Sequence, residues 1–311
     1  MLRYKTHLNN DRLSQKILAI TALLLTAFLG WTPSVFAQQN HSEQEKGPRV
    51  ATTLPVTHLI TQSLLANTPV TVDYLPAKRY PVSRLSYWIN QKLPQQINQL
   101  PHYAASITVA SVWPQHNVYP QLRQQNIRIV PVDAAMQLKP QGAKVSLTAK
   151  QGTEQDYFWL APDNLKVMNR IIAEDLSLLW PDYSSQIRRN EHDNDQSISR
   201  FQLALDDTLW QQEWEGLCST QEELKPLLLS LSLPVLAVPG DSTIDSPTMD
   251  SSAVNGMRCL WVTDEKPKTV PSAETPSIST QWTLNSLKRY YDKDLNGWLQ
   301  HNLEQLNQLS N

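Results

Sequence analysis

VATTLPVTHLITQSLLANTPVTVDYLP, Val50 to Pro76, sets the fold class. A short apolar run, Val50 to Leu54, is bounded by Pro55 and reads as a strand. Helical spacing follows through His58 to Leu65, and a second β-branched run, Val70 to Leu75, reads as another strand before the loop PAKRYP. Strand, helix and strand in this order are the unit of a parallel sheet. The same alternation continues outward, with helical pattern at Leu85 to Ile97, strand at Ile107 to Val112, a short helix at Val118 to Gln125 and strand at Ile127 to Val132.

Past the loop at 137 to 153, Pro162 occupies a position suited to the first turn of a helix, and Asp163 lies near its positive end. Leu165, Met168, Ile172, Leu176 and Leu179 give that helix one apolar stripe, and Pro181 ends it. A more polar helical stretch runs from Tyr183 to Leu217 with the stripe Ile198, Phe201, Leu205 and Leu209. Its charged middle, EHDND at 191 to 195, is that of a helix bridging two lobes in solvent. Helix Gln221 to Leu231, strands Pro234 to Val238 and Arg258 to Val262, and a last helix Thr283 to Leu309 complete the chain. Ser/Pro/Asp-rich loops separate them at 241 to 255 and 264 to 279.

The first 37 residues read as a targeting segment. Arg3, Lys5, Arg12 and Lys16 precede an apolar run, Ile17 to Leu29, and Val35 and Ala37 form a small-residue cleavage site. Thirteen apolar residues are short of the roughly 20 that span a bilayer, so cleavage after Ala37 and export are expected, with an uncleaved anchor as the alternative. Residues 38 to 48 form a polar leader. The whole chain has a formal charge of −2; the first 37 residues carry four basic residues and one Asp, so the remainder stands near −5. That remainder has no basic tract of the kind nucleic-acid binding needs. Only 8 glycines occur in 311 residues, and no glycine-rich phosphate loop is present. No nucleophile-elbow or zinc-protease motif appears, so the chain is not read as an enzyme. The two cysteines, Cys218 and Cys259, form one disulfide in an oxidising compartment or remain two buried thiols.

The stretch EQDYFWLAPDN, Glu154 to Asn164, reads as a metal-binding signature whose ligand is replaced. Together with the opening strand-helix-strand, the helix to Trp180-Pro181 and the late strand RCLWVTDE, it resembles the periplasmic substrate-binding proteins of zinc and manganese ABC transporters, most closely the high-affinity zinc uptake type. DYFWLAP stands where the family has H-x-W-L-x-P, and RCLWVTDE where it has C-V-F-x-E. The resemblance implies an α/β fold, a two-lobed periplasmic binding protein with parallel sheets and a long joining helix. Its parts are an N-terminal lobe 49–182, a linking helix 183–217 and a shortened C-terminal lobe 218–311. It further implies a monomer in the periplasm that docks on an ABC transporter permease in the inner membrane.

The resemblance also implies zinc held between the lobes by His, His, then His or Glu, with a late Asp in some members. Here Val82, Tyr157 and Pro239 stand at the three ligand positions, and Asp264 and Glu265 remain in the late acidic stretch. Val and Pro offer no lone pair, and a neutral phenol is a poor ligand at pH 7. His116 with Asp241, Asp245 and Asp250 presents a replacement site; the alternative is a surface histidine and a solvated acidic turn. Trp113, Tyr157 and Trp159 line an aromatic cleft or pack in the core. His58 and His102 stand alone in the sequence and receive no functional assignment. A ligandless scaffold acting through protein contacts is the second functional reading.

Overall fold

Strands β1 (Arg49–Thr52), β2 (Thr71–Tyr74), β3 (Ala105–Thr108) and β4 (Val130–Asp133) form a parallel sheet in the order β2-β1-β3-β4. The structure is a computed structural model and describes residues 47–148, 156–236, 258–264 and 280–310. The two central strands, β1 and β3, are buried almost throughout, and so carry apolar and small residues without alternation. Register places Thr52 opposite Tyr74 on one side and Ile107 on the other. The C-terminal ends of β1 and β2 therefore meet, which positions the cavity described below.

A second parallel sheet orders β5 (Gly216–Cys218), β6 (Cys259–Thr263) and β7 (Gln281–Thr283) as β5-β6-β7. On the outer side of β5, Leu217 bridges Val235 in parallel. Gly216 is required there, since a Cβ would lie 2.5 Å from Leu236 Cγ. Of the expected strand at 234 to 238, this one bridge is formed, and residues 237 and 238 fall outside the described residues.

Helix α1 (Pro55–Leu64) connects β1 to β2, and α2 (Pro162–Leu179) starts at its proline with Asp163 in the first turn, as the sequence implies. Leu165, Met168, Ile172 and Leu176 are buried in one face of α2. The segment expected as a helix over 85 to 97 is uneven. A 3-10 turn and a turn of α-helix lead into a π-turn at Trp88–Lys92, with α-helix resuming at Leu93–Gln96. Pro94 explains the widening: it lacks an N–H, and its ring clashes with the carbonyl four residues back.

The long polar helix α3 spans Ser184–Gln211, not 183–217. It ends in a Schellman arrangement, with Glu213 at φ 54°, Glu213 N–H donating to Trp210 O (3.1 Å) and Trp214 N–H to Leu209 O (3.3 Å). Three residues later the chain is already strand β5. Nor does the middle of α3 bridge open solvent. Asn194 is buried, donating to Asn169 Oδ1 of α2 (2.9 Å) and accepting from Ser63 Oγ of α1 (2.6 Å). Asn190 Nδ2 closes the end of α1 by donating to Leu64 O at 2.8 Å. Buried amides with partners are inexpensive, so a polar sequence here marks a hydrogen-bonded interface, with only His192 and Asp193 of EHDND exposed.

The last helix, α4 (Leu295–Asn307), is shorter than the expected 283 to 309. Asp294 caps it, accepting from Gly297 N–H at 2.7 Å. The residues before it form β7, around a fully buried Trp282, and then a loop over 284 to 294 that enters the candidate site. Among the described residues no helix is long and apolar enough to cross a membrane. Residues 1–46, which hold the expected targeting segment and most of the polar leader, and the acidic loop holding Pro239, Asp241, Asp245 and Asp250 lie outside the described residues.

Candidate functional site

Of the residues that the family resemblance placed at metal-ligand positions, Val82 and Tyr157 are side chains of a packed interior, and Pro239 lies outside the described residues. Val82 is 1% exposed, and its N–H donates to Lys288 O at 2.8 Å, tying the loop after β2 to the loop after β7. Tyr157 stacks on Trp159 with ring centroids 4.6 Å apart and planes inclined by 20°. Trp113 meets Trp159 edge-on at 5.4 Å, and both indoles are fully buried. Trp113, Tyr157 and Trp159 are therefore core, not the lining of an open aromatic cleft. Trp159 Nε1 donates to Ser286 O (3.1 Å), so this cluster also holds the 284 to 294 loop.

Asp264, at the end of β6, is the described member of the late acidic pair, and Glu265 lies outside the described residues. Its carboxylate is 7% exposed. It accepts from Ser286 Oγ, Gln221 Nε2 and Lys288 Nζ, each at 3.0 Å. A lysine ammonium thus faces the carboxylate that the resemblance associates with a cation. Lys288 is drawn in by a backbone turn at Leu287, which is buried at φ 60°, a conformation uncommon for a bulky residue. Leu287 N–H donates to Asn285 Oδ1 at 3.0 Å, one of the bonds that hold the turn.

Zinc is not accommodated by these groups. Val82 has no donor atom, Tyr157 is engaged in stacking, and Asp264 already carries an ammonium and two further donors. Among the described residues no group of three His, Cys, Asp or Glu side chains converges as metal ligands. His116 is not at the surface; it is 1% exposed with its ring 5.0 Å from that of Trp113. Asp241, its sequence partner, is outside the described residues. Cys218 and Cys259 are joined by a disulfide between β5 and β6, with Cα atoms 6.0 Å apart.

The Lys288–Asp264 pair makes a testable statement about stability. Removing the ammonium in Lys288→Met leaves a buried carboxylate with less compensation. Because Lys288 is partly exposed, we expect a loss of about 2 kcal/mol, below the usual range for fully buried pairs. The double variant Lys288→Met/Asp264→Asn is expected to regain part of that loss. Urea unfolding of the four proteins measures the coupling, and additive single effects would mean that the pair contributes nothing.

A second group of residues, invisible as a set in the sequence, surrounds a cavity of about 410 Å³ at the joined ends of β1 and β2. His58 from α1, Tyr74 from β2, Lys78 from the following loop, Tyr103 and Tyr290 line it. The rings of Tyr74 and Tyr290 are 4.8 Å apart, with His58 5.5 and 5.4 Å from them. Lys78 Nζ sits 4.4 Å from the centroid of Tyr290 and pairs with Asp292. Asp73, also in the wall, accepts two bonds from Arg49 at 2.7 and 2.9 Å. Burial holds the His58 imidazole well below its ordinary value, at about 4; the charge of Asp73 opposes this and that of Lys78 adds to it. The signal available in the sequence was the order Thr52, His58, Tyr74 at the C-terminal side of two strands, where open α/β sheets place ligands.

No protein-family model matches the chain, and no curated protein matches it. Solved structures do. The chain is similar to the Zn(II)-bound AdcA of Streptococcus pneumoniae at 15% identity and TM-score 0.53, over 85% of this chain and 58% of that one. It is similar to the metal-dependent lipoprotein YcdH of Bacillus subtilis at 12% identity and TM-score 0.58, over 85% and 99%. A third is the SBP FpvC of Pseudomonas aeruginosa in complex with Mn2+, at 12% identity and TM-score 0.55, over 83% and 95%. The chain thus spans about three-fifths of the length of the pneumococcal protein and nearly all of the other two. At these identities the likeness establishes the fold: α/β, with parallel sheets and a long helix.

Proposed function

We propose that this chain is an exported, non-enzymatic solute-binding component of a zinc-type ABC transport system, docking on a membrane permease, whose inherited metal position has been taken over by protein side chains. The fold supports the first half of this reading, since proteins of the same architecture include zinc-bound and manganese-bound structures. The observation that carries the second half is the Lys288 ammonium on Asp264, beside Val82 and the Tyr157–Trp159 stack. A fixed internal cation needs no imported one.

A ligandless scaffold of the same fold is the second reading. What favours it is the bond from Val82 N–H to Lys288 O, which joins the loops after β2 and β7 through backbone atoms alone. A binder responds to some small solute, whereas a scaffold responds to none.

Thermal melting of the tag-free mature protein, with and without equimolar zinc, tests the proposal. A ligand present at 100 times its dissociation constant adds about 2.7 kcal/mol to the folded state. We expect no such rise with zinc. A shift of several degrees with one-to-one stoichiometry by calorimetry would place a zinc site elsewhere in the chain and overturn the reading. His116→Ala would then locate it.

A further inference from the structure

The loop between β7 and α4 is anchored at both ends and lightly fastened between them. At its start Leu284 N–H donates to Thr263 O (2.7 Å), and Leu284 and Leu287 are buried. At its finish Asp294 caps α4. The stretch 288 to 294 has neither helix nor strand, and Arg289, Asp292, Lys293 and Asp294 are exposed. Its fastenings to the side of the first sheet are Val82 N–H on Lys288 O (2.8 Å), the Tyr290 ring against Tyr74 and His58, and Asp292 on Lys78 (2.5 Å). The last is an exposed ion pair and contributes little in water. Lys288 Nζ, by contrast, ties the loop to its own sheet through Asp264. A segment with so little buried apolar surface opens at a lower free energy than the sheets on either side of it.

Closure is opposed from within. Leu287, at the hinge of this stretch, holds φ 60°, a strained conformation for a bulky residue. Beneath Tyr290 the Tyr74 hydroxyl is buried with no hydrogen-bond partner among the described residues. Beside it the His58 imidazole is 4% exposed, and burial keeps it neutral at physiological pH. Both groups gain when water reaches them.

We propose that residues 288 to 294 form a strap over the His58 cavity, which opens as a unit while both sheets and α4 stay folded, and which acid shifts to the open position by charging His58. The sign follows from linkage. The covered ring takes up a proton only near pH 4 and a solvated one near pH 6.5, so between these values the open form binds a proton that the closed form refuses. His58 faces Thr52 of β1, Tyr74 of β2 and Tyr290 of the strap. Among the nearby charges Asp73 favours the protonated ring and Lys78 disfavours it; Asp73 is itself paired with Arg49, and Lys78 with Asp292. The strap works whether or not a permease is the partner.

The Val82 amide reads the strap directly, because its hydrogen is bonded to Lys288 O. Native-state hydrogen exchange of the full mature chain, expressed as protection factors to remove the intrinsic effect of pH, is the measurement. At pH 6.5 the Val82 amide is expected to be at least about tenfold less protected than those of Val130 and Ala134, which are bonded to Ala104 O and Thr108 O in the first sheet. Lowering the pH to 4.5 is expected to cut Val82 protection by about a further tenfold relative to Ala134, and His58→Gln to remove that dependence. Tyr290→Ala takes away the ring that covers the imidazole, and is expected to speed exchange at Val82 while leaving Ala134 unchanged. A Val82 amide that exchanges at the rate of Ala134 in the parent protein would show that the loop opens only with the whole fold and would overturn the proposal. So would Val82 protection that ignores pH, or that keeps the same pH dependence in His58→Gln.

Discussion

Replacing Cys218 and Cys259 together with alanine is expected to lower the unfolding free energy by about 4 kcal/mol. The two residues are 41 apart in sequence, and the entropy of closing a loop of that length in the unfolded chain gives this magnitude. The second sheet has little else to hold β5, a strand of three residues that relies on β6 on one side and on the Pro234–Leu236 segment on the other. For a protein of this size the change corresponds to a fall in melting temperature of about 10 °C. Reduction of the parent protein by dithiothreitol should reproduce it, and the double variant should be insensitive to reductant. A variant that melts like its parent would mean that the sheet is held by its ladder alone. Formation of the bridge requires an oxidising compartment.

Acidification should produce the other large effect, through His58. In the unfolded chain this imidazole takes up a proton near pH 6.5; in the folded protein burial delays uptake until about pH 4. Between those values the unfolded state binds a proton that the folded state refuses, so stability falls as pH falls and rises as pH rises. The whole window amounts to about 3 kcal/mol, complete below about pH 4 and absent above pH 6.5. Asp73 favours the charged ring and Lys78 opposes it; Tyr74 and Tyr290 pack against the ring. Carboxylates titrate in the same range with mixed signs. Lys139 holds Glu174 down and burial raises Asp133 and Asp175, so the measurement is a comparison. His58→Gln keeps a neutral polar side chain and should give a visibly flatter curve of unfolding free energy between pH 6.5 and 4. Parallel curves for the two proteins would remove His58 as the cause.

Local pattern carried the architecture of this protein. The strand-helix-strand from Val50 to Leu75 and the stripe Leu165, Met168, Ile172 and Leu176 are periodic within a single element, so the chain declares them wherever its neighbours lie. That Val82 offers no donor atom, and Tyr157 only a phenol, was equally legible, because donor atoms are a property of residue type. Tertiary structure decided what took their place. Val82 meets Lys288, and His58 meets Tyr290, across more than two hundred residues. The strands at Gly216–Cys218 and Gln281–Thr283 are too short to show a period, and they exist because β6 offers each a ladder. The polar middle of α3 read as solvent-facing, since sequence records that Asn190 and Asn194 are polar and not that Leu64, Ser63 and Asn169 wait opposite. Propensity and periodicity act over a few residues, whereas hydrogen-bond partners, the surroundings of His58 and the fate of a buried carboxylate depend on which distant groups folding brings into contact.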